Sequence, residues 1–427
     1  MRASPTLFMG IFYFFAALLL LQALVSLSGG MRYLRYFRRE LSAPLSNFEP
    51  FVSVVVPCRG LDQDLRENLS ALCDQNYPAF EIIFVIDSPA DPSLNVIEAL
   101  RCTWEQGHSA RSRVVVAGRA VESGQKVHNL IAGVGAADPR SEVFVFVDSD
   151  ARPRRDWLRA LVAPLADERV GATTGYRWFI PARNNPASHL RAVWNASIAS
   201  ALGENSRANF CWGGSTAIRR ETFTRLRMAE QWRGTLSDDF ALTRALQNAR
   251  LPIHFVPRCL VASHEVCDAR TLFEFTTRQL KITRVYAPRL WRIVLISNFL
   301  FVSVFYGGIA LTLSRFGRGW LYYAPPLALV ACLFALGSAK ALLRLRAVAH
   351  AFAPEQKIWR APTLAAHLCL WPLASALFLY NASAAALSRR IRWRGITYEL
   401  KSPSETVIID AARTRDAETR ADAARRA

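Results

Sequence analysis

Apolar positions follow two different rhythms along this chain. Leu7 to Gly30 is an almost uncharged apolar stretch, and Ile293 to Leu313 and Trp320 to Ala339 contain no charged residue. At about 1.5 Å per residue, each is long enough to cross roughly 30 Å of hydrocarbon as a helix. Between Pro50 and Tyr286 the pattern changes to short runs of Val, Ile and Phe separated by segments with helical spacing. FVSVVVPCRG (Phe51 to Gly60), FEIIFVID (Phe80 to Asp87), RVVVAG (Arg113 to Gly118) and SEVFVFVDSD (Ser141 to Asp150) are too short for helices. Their β-branched and aromatic content predicts buried strands. Asp64 to Gln75, Leu94 to Trp104 and a segment around Lys126 to Val134 predict helices between them. Further on, GATTGYRWFIP (Gly171 to Pro181) and IHFVPRCLVASH (Ile253 to His264) predict two more strands, and Ala187 to Leu202 and LSDDFALTRAL (Leu236 to Leu246) predict helices. Asn209 to Phe223 combines a Gly-Gly turn with a helix start. The alternation predicts an α/β domain with a mostly parallel sheet and helices on both faces, beside transmembrane helices.

The apolar run of the first stretch is too long for the core of a signal peptide and has no small-residue cleavage site before its basic flank, which predicts a retained anchor. Arg32, Arg35, Arg38 and Arg39 follow it, against Arg2 alone before it, so the next domain is expected in the cytoplasm of a multi-pass integral membrane protein, at the inner membrane in a bacterium. Lys281, Arg284, Arg289 and Arg292 precede the second stretch, and Lys340, Arg344 and Arg346 follow the third, consistent with leaving and returning. Thr271 to Arg292 is basic, aromatic and amphipathic and suits the membrane interface. A fourth apolar stretch, Ala361 to Ser388, is interrupted by Pro372 and flanked by basic residues at both ends. If it spans, the arginines near 390 end up outside, against the rule; if it re-enters, they stay inside. The organisation expected is an anchor and basic flank at 1–40, a catalytic domain at 50–286, a transmembrane or interfacial region at 287–400 and a polar tail at 401–427.

Hydrophobic residues make up 52% of the 427 residues, and the formal net charge is +19. The excess is arginine scattered through an alanine-rich chain and densest beside the apolar stretches, which fits topology signals and anionic headgroups. No nucleic-acid module is recognisable, so nucleic acid is not expected as a partner. Eight scattered cysteines, with no CxxC and no metal-ligand spacing, fit a reduced compartment.

Candidate chemistry sits where predicted elements end. Asp148 and Asp150 are two apart, so in an extended segment both face one point beyond the strand end, where open α/β sheets bind ligands. Two such carboxylates suit a hard divalent cation, Mg2+ or Mn2+, and through it a diphosphate; the alternative is a polar turn. Asp238 and Asp239 follow Ser237 at a predicted helix start, where simple capping is the competing explanation. Trp178, Trp194 and Trp212 are candidates either for an acceptor site or for the core.

The order of motifs resembles a known family. SVVVPCRG, a strand followed by Asp-Pro, a strand ending in DSD, then WGGSTAIRR, a DD opening a helix, and a basic helix against apolar spans are similar to membrane-bound family 2-type glycosyltransferases of GT-A fold. The ceramide glucosyltransferase branch, with bacterial enzymes that glycosylate hopanoids or other lipid alcohols, is the most similar. WRGITYEL near Trp393 is similar to a segment after the last spans of such enzymes. The resemblance implies an inverting transfer from a nucleotide-sugar donor, a UDP-sugar, to a lipid acceptor. It implies nucleotide contacts for Asp91, with Asp87 as a competitor, and metal and diphosphate contacts for Asp148 and Asp150. It also implies that Asp239 is the catalytic base, Asp238 stands where many relatives carry glutamate, and Lys126 is the basic residue before an asparagine. The family's terminal motif is imperfect: Arg278 and Lys281 keep two cations at the right spacing, but Ile282 stands where tryptophan is usual. Two other readings remain, a processive polysaccharide synthase and an inactive membrane scaffold of the same fold.

Overall fold

The structure, a computed structural model, describes residues 5–104, 111–352 and 358–409. Helix α1 (Pro5–Ser42) is followed by β1 (Val52–Pro57), α2 (Leu65–Cys73), β2 (Phe80–Ile86), α3 (Ser93–Trp104), β3 (Arg111–Val116), α4 (Gln125–Gly135) and β4 (Val143–Phe146). Then come α5 (Trp157–Val162), β5 (Ala172–Phe179), α6 (Pro186–Ala199), β6 (Thr216–Arg219), α7 (Arg220–Arg225), α8 (Met228–Trp232), α9 (Asp238–Asn248) and β7 (Ile253–Ser263). The chain ends with α10 (Ala269–Tyr286), α11 (Pro288–Arg315), α12 (Trp320–Ala351), α13 (Ala361–Cys369), α14 (Trp371–Leu387), β8 (Arg390–Trp393), β9 (Ile396–Ser402) and β10 (Glu405–Ile408).

Seven strands form one sheet in the order β3-β2-β1-β4-β6-β5-β7. Pairing is parallel except around β6, which runs antiparallel to β4 and β5. The domain has the GT-A fold. The period-two alternation of each strand sorts its apolar residues onto two cores. Val54, Phe84 and Val145 face α2 and α5, whereas Val55, Ile83 and Phe146 face α4 and α9. Burial on both faces explains why these strands read as continuous apolar runs. The turn and the helix start expected at 209–223 are present, the helix as α7, but the antiparallel β6 between them was not expected: at four residues it is too short to stand out from the Gly-Gly turn before it.

Helices α1, α11 and α12 are each long and apolar enough to cross a membrane. The last turns of α1 continue beyond that length and dock on the sheet domain, where Tyr33, Tyr36 and Phe37 share a core with Phe255 of β7, and the Tyr36 hydroxyl donates to the Phe255 carbonyl. The amphipathic segment expected at 271–292 is divided at Ala287, because Pro288 can start a helix but not continue one, and the two parts become α10 and α11.

Helices α13 and α14 are bent by 59° at the break before Pro372. Ile358, just before the pair, packs with Phe255 and Trp178 of the sheet domain. After the pair, β8–β9–β10 form a three-stranded antiparallel sheet whose Tyr398 and Leu400 pack with Leu236 and Tyr286. Both ends of the pair therefore lie against the sheet domain. Residues 402–408, expected in a solvated tail, belong instead to this small sheet, with Thr406 and Ile408 buried on it. The remainder of that tail, from 410, lies outside the described residues.

Candidate active site

The loops at the carboxyl ends of β1, β2 and β4 meet through side chains. Asp91 accepts from the Gly60 amide at 3.0 Å and from the Ser93 amide and hydroxyl at 2.9 and 2.6 Å, which ties the β2 loop to the β1 loop. Burial works to raise the Asp91 carboxyl, but the Ser93 and Gly60 hydrogen bonds outweigh it and hold it below the ordinary value. Asp87 pairs with Arg59 at 2.6 Å. Asp62 accepts from Ser149, between the two strand-end aspartates, at 2.7 Å.

At the centre, the Lys126 ammonium lies 2.7 Å from Asp148 and 3.2 Å from Asp238, so one cation from the start of α4 joins a strand end to a helix start. Bare backbone at Gly213 permits this: a Cβ there would sit 2.3 Å from an Asp238 oxygen and 2.6 Å from the Lys126 nitrogen. Burial lowers the Lys126 ammonium, but Asp148 and Asp238 reverse this and leave it above its usual value. Burial would raise the Asp148 carboxyl, yet Lys126 and Arg177 hold it below the ordinary range. Asp238 is different. Burial pushes it up to about 6 against the pull of Lys126, and Asp239 and Asp148 add to the rise.

Asp239 points elsewhere. It is half-buried, and its Oδ1 accepts from the Ser237 hydroxyl and, at 2.8 Å, from the Phe240 amide at the start of α9. Its Oδ2 forms no hydrogen bond among the described residues.

Arg177, on β5, was not singled out by the sequence, although it is the one charged residue in GATTGYRWFIP. Its Nη2 contacts both Asp150 oxygens at 2.8 and 3.0 Å, its Nη1 lies 3.5 Å from Glu265, and Trp212 packs over its guanidinium at 5.3 Å. Burial raises the Asp150 carboxyl, with Arg177 opposing and Asp148, Glu265 and Asp62 adding. Trp212 is thus beside the site, whereas Trp178 and Trp194 are fully buried in the core.

Arg278 on α10 lies over the Trp393 ring at 5.6 Å, and its guanidinium forms no ion pair or hydrogen bond with any described residue. Burial, with Arg177 and Arg394 adding, lowers it to about 10. Lys281 departs from the expectation that it accompanies Arg278. Its ammonium donates to the Arg390 carbonyl at 2.8 Å and fastens α10 to β8, because one further turn carries it past the crevice. Arg394, which the sequence offered in a basic cluster and within WRGITYEL but without a role, contacts Asp62 at 2.8 Å and the Arg59 carbonyl at 2.6 Å. A cavity of about 210 Å³ opens beside Asp150, lined by Asp62, Asn68, Arg152, His264 and Glu265.

The donor set was compared with the needs of a divalent ion. Among the described residues no group of three or more His, Cys, Asp or Glu forms a metal cage. Asp148 and Asp150 supply hard oxygens, and Asp148 Oδ2 has Arg177 no nearer than 3.8 Å. Mg2+ and similar ions need only one or two protein carboxylates when phosphate oxygens complete the shell. The residues fit an ion shared with a diphosphate.

Among curated proteins, the chain is 32% identical over 77 residues to a ceramide glucosyltransferase of Komagataella phaffii, covering 18% of this chain and 15% of that one. It is 22% identical over 200 residues to ceramide glucosyltransferase 1 of Caenorhabditis elegans, covering 46% and 42%. The chain therefore matches less than half the length of these relatives. A mannosyltransferase of Pyrobaculum calidifontis, solved with GDP-mannose and Mn2+, aligns over 87% of this chain and 98% of its own at 18% identity and a TM-score of 0.42. Glucosyl-3-phosphoglycerate synthase of Mycobacterium tuberculosis, solved with Mn2+, UDP-glucose and phosphoglyceric acid, aligns over 54% and 78% at 16% identity and a TM-score of 0.35. The sequence model of glycosyl transferase family 21 matches residues 13–406, nearly the whole chain, and the chain belongs to that family.

Proposed function

We propose that this protein transfers a sugar from a UDP-sugar to a membrane lipid alcohol, ceramide, hopanoid or a similar acceptor, with inversion at the anomeric carbon. The observation that carries this reading is the site's division into a cation-paired carboxylate set, Asp148 with Lys126 and Asp150 with Arg177, and a carboxylate, Asp239, that no cation contacts among the described residues. Departure of a nucleoside diphosphate leaves negative charge, which preorganised positive groups stabilise. Arg177 and the unpaired Arg278 are the chain's own groups for that work. Asp148 and Asp150 would hold a Mg2+ or Mn2+ ion, which supplies further charge neutralisation at the diphosphate. Asp91 and Asp87 shape the nucleotide side by fixing the Gly60 and Arg59 loop. On the opposite face, Asp239 Oδ2 accepts the proton of the attacking hydroxyl, and Asp238 holds Lys126 in place. One displacement from the face opposite the leaving group inverts the anomeric configuration.

The lipid acceptor reaches the site along α10, whose basic amphipathic face leads directly into α11. Catalysis then takes place on the cytoplasmic side, with three spans and with α13 and α14 as a re-entrant pair that returns β8–β10 to the same side. The test is transfer from a panel of UDP- and GDP-sugars by membranes containing the protein, with mixed lipid extract as acceptor and with or without EDTA. A labelled glycolipid that requires the metal supports the reading. A long water-soluble polymer, or no turnover with any donor, contradicts it.

A further inference from the structure

The small sheet that follows the last apolar helix has no task in the mechanism above, yet its tip enters the crevice. Strands β8 and β9 are joined by the two-residue turn Arg394-Gly395, with Trp393 paired to Ile396. Both turn residues have positive φ, 45° for Arg394 and 80° for Gly395. Such turns favour Asn-Gly, and an arginine in the left-handed region is held there at a cost in backbone energy. The sequence keeps a long cation at a position where asparagine or glycine is the easier choice.

That cation is directed inward. Its two terminal nitrogens contact Asp62 and the Arg59 carbonyl, and Asp62 in turn holds Ser149, the residue between Asp148 and Asp150. A guanidinium has five N–H donors, so these contacts leave others available. The hairpin is seated firmly. The Gln125 amide donates to the Tyr398 hydroxyl at 3.2 Å, and a Cβ on Gly234 would lie 2.2 Å from the Ser404 carbonyl. Next to Arg394, Trp393 packs on Arg278, so this hairpin borders two guanidiniums, while Arg177 approaches from β5. Arg177 and Arg394 both oppose the charge on Arg278, and no carboxylate pairs with Arg278 among the described residues. Arg177 and Arg394 are each ion-paired, and Arg278 between them has no carboxylate partner among the described residues.

We infer that Arg394 is a donor-binding residue: the hairpin delivers its guanidinium to the diphosphate of the nucleotide, where it joins Arg177 and Arg278. The inference rests on the donor being a nucleoside diphosphate sugar. It makes the segment after the spans part of the donor site.

The test uses the full-length protein in detergent, with UDP and UMP as probes for calorimetric binding. Arg394→Asn suits the turn and removes the guanidinium. Loss of charge-assisted hydrogen bonds to a phosphate predicts UDP affinity weakened about tenfold or more, with a smaller loss for UMP and an unchanged or higher melting temperature. Arg394→Lys recovers part of the loss, since a point charge without the fork remains. Wild-type UDP affinity in Arg394→Asn overturns the inference. Equal losses for UDP and UMP with a lower melting temperature overturn it too, and leave Arg394 a structural contact. If the wild-type protein binds neither UDP nor GDP, the proposed function and this inference fall together.

Discussion

Two aspartate pairs meet at Lys126 and then part company. Asp148 and Asp150 close a strand, while Asp238 and Asp239 open a helix. The first member of each pair touches the Lys126 ammonium. The second members differ: Asp150 faces the Arg177 guanidinium, but Asp239 hydrogen-bonds a serine hydroxyl and a backbone amide and has no ion pair among the described residues. An opposite charge favours the ionised form of a carboxylate and so weakens it as a proton acceptor. At Asp148 the cations prevail over burial, at Asp150 burial prevails over Arg177, and at Asp239 one oxygen stays without a hydrogen bond among the described residues. Spacing alone does not separate these carboxylates. The partners do.

The largest effect expected is on Asp239. Asp239→Asn keeps the shape and the Phe240 contact but removes the proton acceptor, so turnover falls by about 10²- to 10⁴-fold while UDP affinity stays at the wild-type level. Near-normal transfer by the variant, measured with labelled donor, reverses the division of labour between the pairs. Lys126 comes next. Lys126→Met leaves half-buried Asp148 and buried Asp238 without their shared cation, and breaking a fully buried pair costs roughly 3–5 kcal/mol, an upper bound here. A clear drop in the midpoint of thermal unfolding in detergent is expected; an unchanged midpoint means the ammonium is not the link between the pairs.

How far these features were legible depends on how locally they are encoded. Asp148, Asp150 and Asp238 sit at element ends, where a period of two or a capping serine marks the position from a few neighbours, whereas Lys126 was reached only through the family resemblance. Arg177 lies in a segment whose strand pattern was legible, and its single charge among aromatics was a signal that strand prediction did not use. Arg394 and Asp62 are separated by more than three hundred positions, so no window of sequence joins them. Residues 402–408 read as solvated because the sequence that follows them is charge-mixed Ala/Arg/Glu/Asp, although the alternation of buried Thr406 and Ile408 marked a strand. The four residues of β6 are shorter than any period can establish.

The helix-start pair also predicts a pH response. The Asp238 carboxyl rises to about 6 in the folded protein, from about 3.9 in an unfolded chain. A raised carboxyl contributes stability that is fully present below the unfolded value and is lost as pH climbs through the folded one. Wild-type protein is thus expected to lose stability between about pH 4 and 6 from this group, and Asp238→Asn to lack that component. Melting curves of the two proteins that stay parallel across this window would remove Asp238 as its source.

The smallest effect is expected at Lys281, and it tests whether the comparison extends to α10. Arg278 and Lys281 are one turn apart on the same helix, but only Arg278 faces the crevice; the Lys281 ammonium is committed to the Arg390 carbonyl. A single hydrogen bond of this kind contributes about 0.5–1.5 kcal/mol at most, and less where water competes. Lys281→Ala should therefore shift the melting temperature slightly and leave UDP affinity within about twofold of wild type, whereas Arg278→Gln, which removes a charged donor, weakens it about tenfold. Equal losses in the two variants would mean that both cations reach the diphosphate when it binds. In that case the Arg390 contact is a resting position that the Lys281 ammonium leaves as the donor enters.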